Sequence, residues 1–237
     1  MKWHDIWEKK GNQTDPSTSD LSLMQANGYD TGAGSVVDTW QTVLAQRIEQ
    51  VRTALSLTQD DILLDAGCGG GLLSRALQPC VKQVCGIDYS STLINLARAA
   101  APLCSFTQGS LTDLAYRNGT FTKIVSYSVF HYLSDMHDAE HVLDHFLRCT
   151  TDDGVIAIFD IPDKAMQHEC EQVRAHALGA KTYKEKYAQL SHLYYEKEWF
   201  RAYARQNRLS CGITQNTSDT YINGRFRFNV VLSRKGL

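Results

Sequence analysis

The stretch that most restricts what this chain can become runs from Leu63 to Leu73 and reads LLDAGCGGGLL. Apolar residues lead into an acidic one, four glycines follow within five positions, and a helix opens at Leu72. A buried parallel strand, a glycine-rich turn and a helix together form the nucleotide-cradling unit of doubly wound sheets. Glycine reaches positive φ at little cost and lets a ligand approach the backbone. The helix start beyond it offers unpaired N–H groups and a partial positive charge. The chain is therefore predicted to be α/β.

The ligand is narrowed by detail. A dinucleotide turn reads G-x-G-x-x-G, with the third glycine allowing close helix–strand packing. Gly67 and Gly69 fit, but the third position is Leu72, and the strand ends on Asp65 where such folds usually carry an apolar side chain. The run Asp65-Ala66-Gly67-Cys68-Gly69-Gly70-Gly71 resembles motif I of class I (Rossmann-like) S-adenosylmethionine-dependent methyltransferases. The resemblance implies S-adenosyl-L-methionine as cofactor. It also implies a doubly wound, mostly parallel seven-stranded sheet with an antiparallel C-terminal hairpin strand. Asp65 would then lie near the methionyl amino group, and Gly67, Cys68, Gly69 and Leu72 along the ligand.

Further along, a strand from Gln83 to Ile87 ends at Asp88, followed by Tyr89. An acidic residue about 20 positions after the glycine turn is where nucleotide folds hold the ribose hydroxyls. A carboxylate can accept from both hydroxyls of a vicinal diol. The other reading of Asp88 is a cap for the helix starting near Ser91. After a third strand, Cys104 to Gln108, methyltransferases of this class often carry an Asp where Ser110 stands. The Ser110 hydroxyl or the Leu111 backbone N–H can still meet the adenine edge.

The fourth strand, Phe121 to Ser126, leads into Tyr127-Ser128-Val129-Phe130-His131-Tyr132-Leu133. In the family this loop is motif IV, which lies under the sulfonium, so Ser126 and Tyr127 join the candidate cofactor residues. The Asn/Asp-Pro-Pro-aromatic run of base-amino enzymes and the strand-end Asp of metal-dependent catechol-type enzymes are absent. So are the paired glutamates of arginine methyltransferases. Those differences favour a metal-independent enzyme acting on a small-molecule acceptor, in which transfer to a hydroxyl calls for a base. His131 is the first candidate base and His192 the second; the other reading of His131 is a packing or loop-fixing histidine beside Phe130 and Tyr132.

The remaining chain supplies context. Residues 1–38, polar but carrying Trp3, Trp7 and Tyr29, read either as a tail or as a cap over the ligand. In the second case Tyr29 would touch the cofactor. Residues 39–237 form the methyltransferase-like domain, beginning with a helix from Thr39 to Leu55 and carrying a helical insertion at about 161–197. A helix from Leu72 to Gln78 is expected to stop at Pro79, and a fifth strand to span Gly154 to Asp160. Tyr194 and Tyr195 either face the pocket or anchor the helix after them. His137, His141 and His145 fall opposite the apolar stripe of a helix from Met136 to Arg148, which makes them a solvated face and not metal ligands.

A formal net charge of −2 over 237 residues gives no bulk attraction to nucleic acid. No apolar run is long enough for a membrane span. The charged N-terminus lacks a signal-peptide core, and seven scattered cysteines suit reduced thiols, so a cytoplasmic protein is expected. Oligomeric state is unknown. Two other classes stay open: a catalytically silent methyltransferase-like binding module, and a nicotinamide-dependent dehydrogenase, which Asp65 and Leu72 disfavour.

Overall fold

The computed structural model describes residues 3–14, 19–27, 37–187, 190–216 and 223–234. The described strands are β1 (Ile62–Ala66), β2 (Gln83–Asp88), β3 (Ser105–Gln108), β4 (Phe121–Tyr127), β5 (Thr150–Pro162), β6 (Ser210–Gln215) and β7 (Arg227–Ser233). They form a seven-stranded sheet in the order β3-β2-β1-β4-β5-β7-β6. The first five pair in parallel, whereas β7 runs antiparallel to both β5 and β6. The expected α/β architecture and its terminal hairpin are both present. Chain order reverses between β1 and β4, the switch point outside whose carboxyl ends ligands bind in open sheets.

Strand alternation sorts the core into two layers. Leu64, Ile124, Ile156 and Ile158 pack with α6 (Met136–Cys149) and α9 (Lys197–Gln206). Their neighbours Leu63, Val125, Ala157 and Phe159 pack on the other face with Val51 and Leu55 of α3 (Val37–Leu55). A third cluster joins Leu72, in α4 (Leu72–Leu77), and Leu93 and Leu96, in α5 (Ser91–Ala100), to the N-terminal segment. There α1 (Trp3–Gln13) and α2 (Asp20–Ala26) are helical, and Leu23, Met24 and Ala26 are buried. The insertion contains α7 (Gln167–Leu178) and α8 (Ala180–Tyr187). No helix of the described residues is long and apolar enough to cross a membrane.

Two of the element ends that differ from the sequence expectation have a clear physical reason. Pro79 does not end a helix reaching Gln78; α4 stops at Leu77, and Pro79 sits inside a 3-10 turn over Gln78–Cys80. Proline fits the first positions of a helical turn, where its missing N–H costs nothing. β5 starts at Thr150 and not Gly154, because Thr150 pairs with Phe121 ahead of a register shift in the ladder. An apolar run marks only the part of a strand that is buried, and Asp152 and Asp153 are exposed.

Candidate active site

The glycine turn is held by its neighbours' polar groups. Gly67 N and Cys68 N both donate to Ile87 O, at 2.8 and 3.0 Å. Gly69 N donates to Asp88 Oδ2 at 2.9 Å, and Gly70 N to Asn27 Oδ1 at 2.8 Å. Gly67 and Gly69 have φ of 82° and 53°, and side chains there would collide with Val129 and Asn27. Asp88 Oδ1 accepts from Ser90 N at 2.9 Å. The helix cap of α5 is Ser90, whose Oγ accepts from Leu93 N at 3.3 Å, so Asp88 is not the cap. Burial pushes the Asp88 carboxyl above its ordinary pKa; the Ser90 and Gly69 amides pull the other way, and Glu8 adds to the rise.

Asp65 is buried at the end of β1 and accepts from Ser74 Oγ at 2.6 Å. Burial dominates its titration and, with Ser74 opposing and Asp88 adding to the rise, brings its pKa up to about 6. Two acidic side chains, Asp65 and Asp88, thus line one cleft.

Of the residues singled out in the sequence, Asp65, Gly67, Cys68, Gly69, Asp88, Tyr89, Leu111 and Tyr127 line this cleft. Ser110 lies in an adjoining pocket with Leu111, Trp3, His4 and Tyr132, where its Oγ accepts from Thr112 N at 3.2 Å. Leu72 is 2 % exposed and packs with Leu23 and Leu96, behind the cleft wall. Ser126 is fully buried; its Oγ donates to Ala66 O at 3.0 Å and ties β4 to β1. Tyr29 lies outside the described residues.

His131 and His192 line neither pocket. The His131 ring is buried, 4.0 Å from the ring centre of Tyr132, which does line the cleft. Burial, then the charges of Arg227, His192 and Arg174, hold His131 well below its usual pKa, so it is neutral near pH 7. His192 Nδ1 accepts from Arg174 Nη1 at 2.7 Å. Tyr195 anchors, donating its hydroxyl to Phe130 O at 2.8 Å. On α6, His145 Nε2 lies 3.1 Å from Thr112 O, and the described residues contain no cluster of three or more metal-capable side chains.

Glu8 carries no sequence signal, whereas Trp3 and Trp7 belong to the segment read as a tail or a cap. The N-terminal helix α1 contributes Trp7 to the cleft and Trp3 and His4 to the adjoining pocket. Glu8 Oε1 accepts from Ser91 N at 2.6 Å and its Oε2 from Thr92 N at 3.3 Å, at the start of α5. Burial tends to raise the Glu8 pKa, but these bonds outweigh it and the carboxyl sits below its ordinary value. At the other end of α1, Trp3 stacks on His192 with ring centres 4.8 Å apart, and its Nε1 donates to Ser191 O at 3.2 Å. Trp7 lines the cleft and meets Tyr132 edge-on.

The second unsignalled group is a strained pair. Ser128 lies just past the end of β4 and Asp160 within the irregular stretch of β5, each one residue beyond the paired Tyr127 and Phe159. Both adopt left-handed backbone, with φ of 59° and 63°, a conformation costing about 1–3 kcal/mol in a residue other than glycine. Ser128 Oγ donates to Asp160 Oδ2. Asp160 and Arg227 are 3 % and 1 % exposed, with Arg227 Nε 3.9 Å from Asp160 Oδ1.

A family model described as "Methyltransferase domain" matches residues 64–158. The ubiquinone biosynthesis O-methyltransferase of Xanthomonas euvesicatoria is 32% identical over 94 residues, 38% of this chain and 39% of that protein. This chain spans about half the length of the first curated relatives it matches. Among solved structures, the protein bound to the Trm112 methyltransferase activator of Haloferax volcanii superposes with a TM-score of 0.67 at 16% identity. That match covers 99% of this chain and 98% of the other. Geranyl diphosphate C-methyltransferase of Streptomyces coelicolor, solved with S-adenosyl-L-homocysteine, gives 0.62 at 15% identity over 98% and 97%. At those identities the structures attest the fold, while the domain match covers the glycine turn, Asp88 and the motif IV loop. Residues 64–158 are thus similar to a methyltransferase domain, set on a seven-stranded, mostly parallel sheet.

Proposed function

We propose that the cleft binds S-adenosylmethionine and that the protein passes its methyl group, without a metal, to a hydroxyl of a small-molecule acceptor. Asp88 carries the reading. Its carboxylate is tied to Gly69 N and Ser90 N, where each oxygen keeps a lone pair for a ribose hydroxyl. Asp65 meets the methionyl amino group, and Tyr89, Leu111 and Ser110 border the adenine. The O-methyltransferase among the relatives supports oxygen as the accepting atom.

The cofactor supplies an electrophilic methyl group on a good leaving group. The protein's part is to hold the acceptor in line and exclude water, which proximity and orientation reward greatly. Residues 1–38 and the insertion at about 161–197 act as the cover: α1 bridges α5 and Ser191 across the mouth. His131 and His192 are assigned to positioning Tyr132 and Trp3, since neither lines the cleft. Calorimetry with S-adenosylhomocysteine tests the reading. Binding at micromolar affinity or better supports it; no binding leaves a silent methyltransferase-like module.

A further inference from the structure

We propose that Ser128, backed by Asp160 and Arg227, is the acceptor anchor and proton outlet of this site, and that the acceptor presents a hydrogen-bond donor to it, the O–H of the hydroxyl acceptor proposed above. This rests on the methyl-transfer reading above.

Ser128 lines the cleft with Gly67 and Tyr127, just beyond β4, the strand that pairs with β1. Its single hydroxyl proton is committed to Asp160 Oδ2. What remains toward the cleft is lone-pair density, which a ligand can satisfy only by donating. A carbonyl, ether or carboxylate acceptor would leave Ser128 facing oxygen with oxygen.

The backing is heavier than a structural serine needs. Asp160 is buried and its Oδ1 accepts no hydrogen bond. Arg227 lies alongside, with Nε at 3.9 Å and Nη1 donating to Asp160 O at 3.4 Å. Asn229 Oδ1 accepts from Asp160 N at 3.0 Å. Replacing a buried ion pair by packed apolar groups is often neutral or stabilising, so stability is a weak reason for this one. Two adjacent left-handed residues add strain of the kind concentrated at working sites.

The arrangement balances the reaction's protons. As the acceptor oxygen gains the methyl group, its proton moves to Ser128 Oγ, and the Ser128 proton moves to Asp160 Oδ2. The C–S bond of the sulfonium breaks as the O–C bond forms. The sulfonium's positive charge and the Asp160 negative charge disappear together, and Asp160 later releases its proton to solvent. Ser128 is the catalytic residue here, and Asp160 is a positioning residue acting through it.

The test uses the full chain saturated with S-adenosylhomocysteine and a panel of phenols and aliphatic alcohols, each paired with its methyl ether. Ligand-observed NMR reads binding. At least one hydroxyl compound should bind tenfold or more tighter than its ether, and Ser128→Ala should abolish that difference. Equal binding of the pair, persistence of the difference in Ser128→Ala, or no binding of any member overturns the proposal. With S-adenosylmethionine and the best hydroxyl compound, Asp160→Asn keeps an acceptor for the Ser128 proton but not a base. It should lower kcat about 100-fold, in the range of general-base effects, with KM within about threefold. A matched rise in KM with unchanged kcat overturns the outlet role. Melting curves confirm folding of each variant, and Asp160→Asn combined with Arg227→Met removes the uncompensated charge if the single variant does not fold. Failure to bind S-adenosylhomocysteine instead strikes the methyl-transfer reading itself.

Discussion

The two halves of the cleft are built by opposite means. The half around β1 and β2 presents backbone amides and lone carboxylates: Gly69 N and Ser90 N on Asp88, and Gly70 N on Asn27. The half around β4, β5 and β7 presents buried side chains stacked behind one another. Phe130 lies against Tyr195 and Phe200, and Ser128 against Asp160 and Arg227. Backbone recognition suits a ligand that is the same in every turnover. Side-chain recognition suits one that differs from protein to protein. The contrast makes the two halves separately breakable.

The largest expected effect is on the side-chain half. Phe130 is 1 % exposed amid Phe146, Tyr195 and Phe200, so Phe130→Ala should cost about 3–5 kcal/mol of stability. Denaturant melts measure it, and S-adenosylhomocysteine affinity of the folded variant should stay within about threefold. A large loss of cofactor affinity would erase the distinction between the halves. Next comes Asp88→Ala, which removes a charged acceptor from two backbone donors. Hydrogen bonds to charged groups are worth about 1.5–3 kcal/mol each, so calorimetry should show cofactor affinity at least tenfold weaker. Unchanged affinity would remove Asp88 from the ribose.

A smaller effect follows from Asp65. With its pKa raised to about 6 by burial, protons compete with the cofactor's ammonium group below that pH. Affinity for S-adenosylhomocysteine should therefore rise by up to about tenfold per pH unit from pH 5 toward 6 and then level off. In Asp65→Asn the slope should vanish. The sign for stability is the reverse: a raised carboxyl pKa means the cofactor-free fold loses this group's contribution as pH climbs from 3.8 to about 6. The mildest change is Glu8→Gln. It keeps an oxygen for Ser91 N but removes a charge at the start of α5, worth about 0.3–1 kcal/mol. Stopped-flow exchange of bound S-adenosylhomocysteine should be a few-fold faster; an unchanged rate would detach α1 from cofactor retention.

What was legible in the sequence follows the same division. Gly67, Gly69 and Asp88 could be read because their partners lie within one strand–turn–strand unit, so spacing stands in for geometry. The sheet was legible because its strands alternate or run apolar. Asn27, Glu8, Ser128 and Asp160 were not, since their partners are 43, 83 and 32 residues away. Nothing local marks a serine or an aspartate destined for positive φ. The motif IV loop drew attention to His131 because histidine titrates near neutrality. Burial and neighbouring arginines hold that ring neutral behind Tyr132, and a one-dimensional pattern does not convey burial of that kind.

The attachment of α1 has a practical side. Trp3 lies flat on His192 and edge-on to Tyr132, and Trp7 meets the same tyrosine at the cleft wall. An indole stacked on imidazole emits differently from one released into water. Opening of the mouth should thus be visible in the protein's own fluorescence, without a dye or a known acceptor. With α1 as the proposed cover, the molecule carries an optical gauge of it, and compounds that close it can be sought by their colour shift before any product is identified.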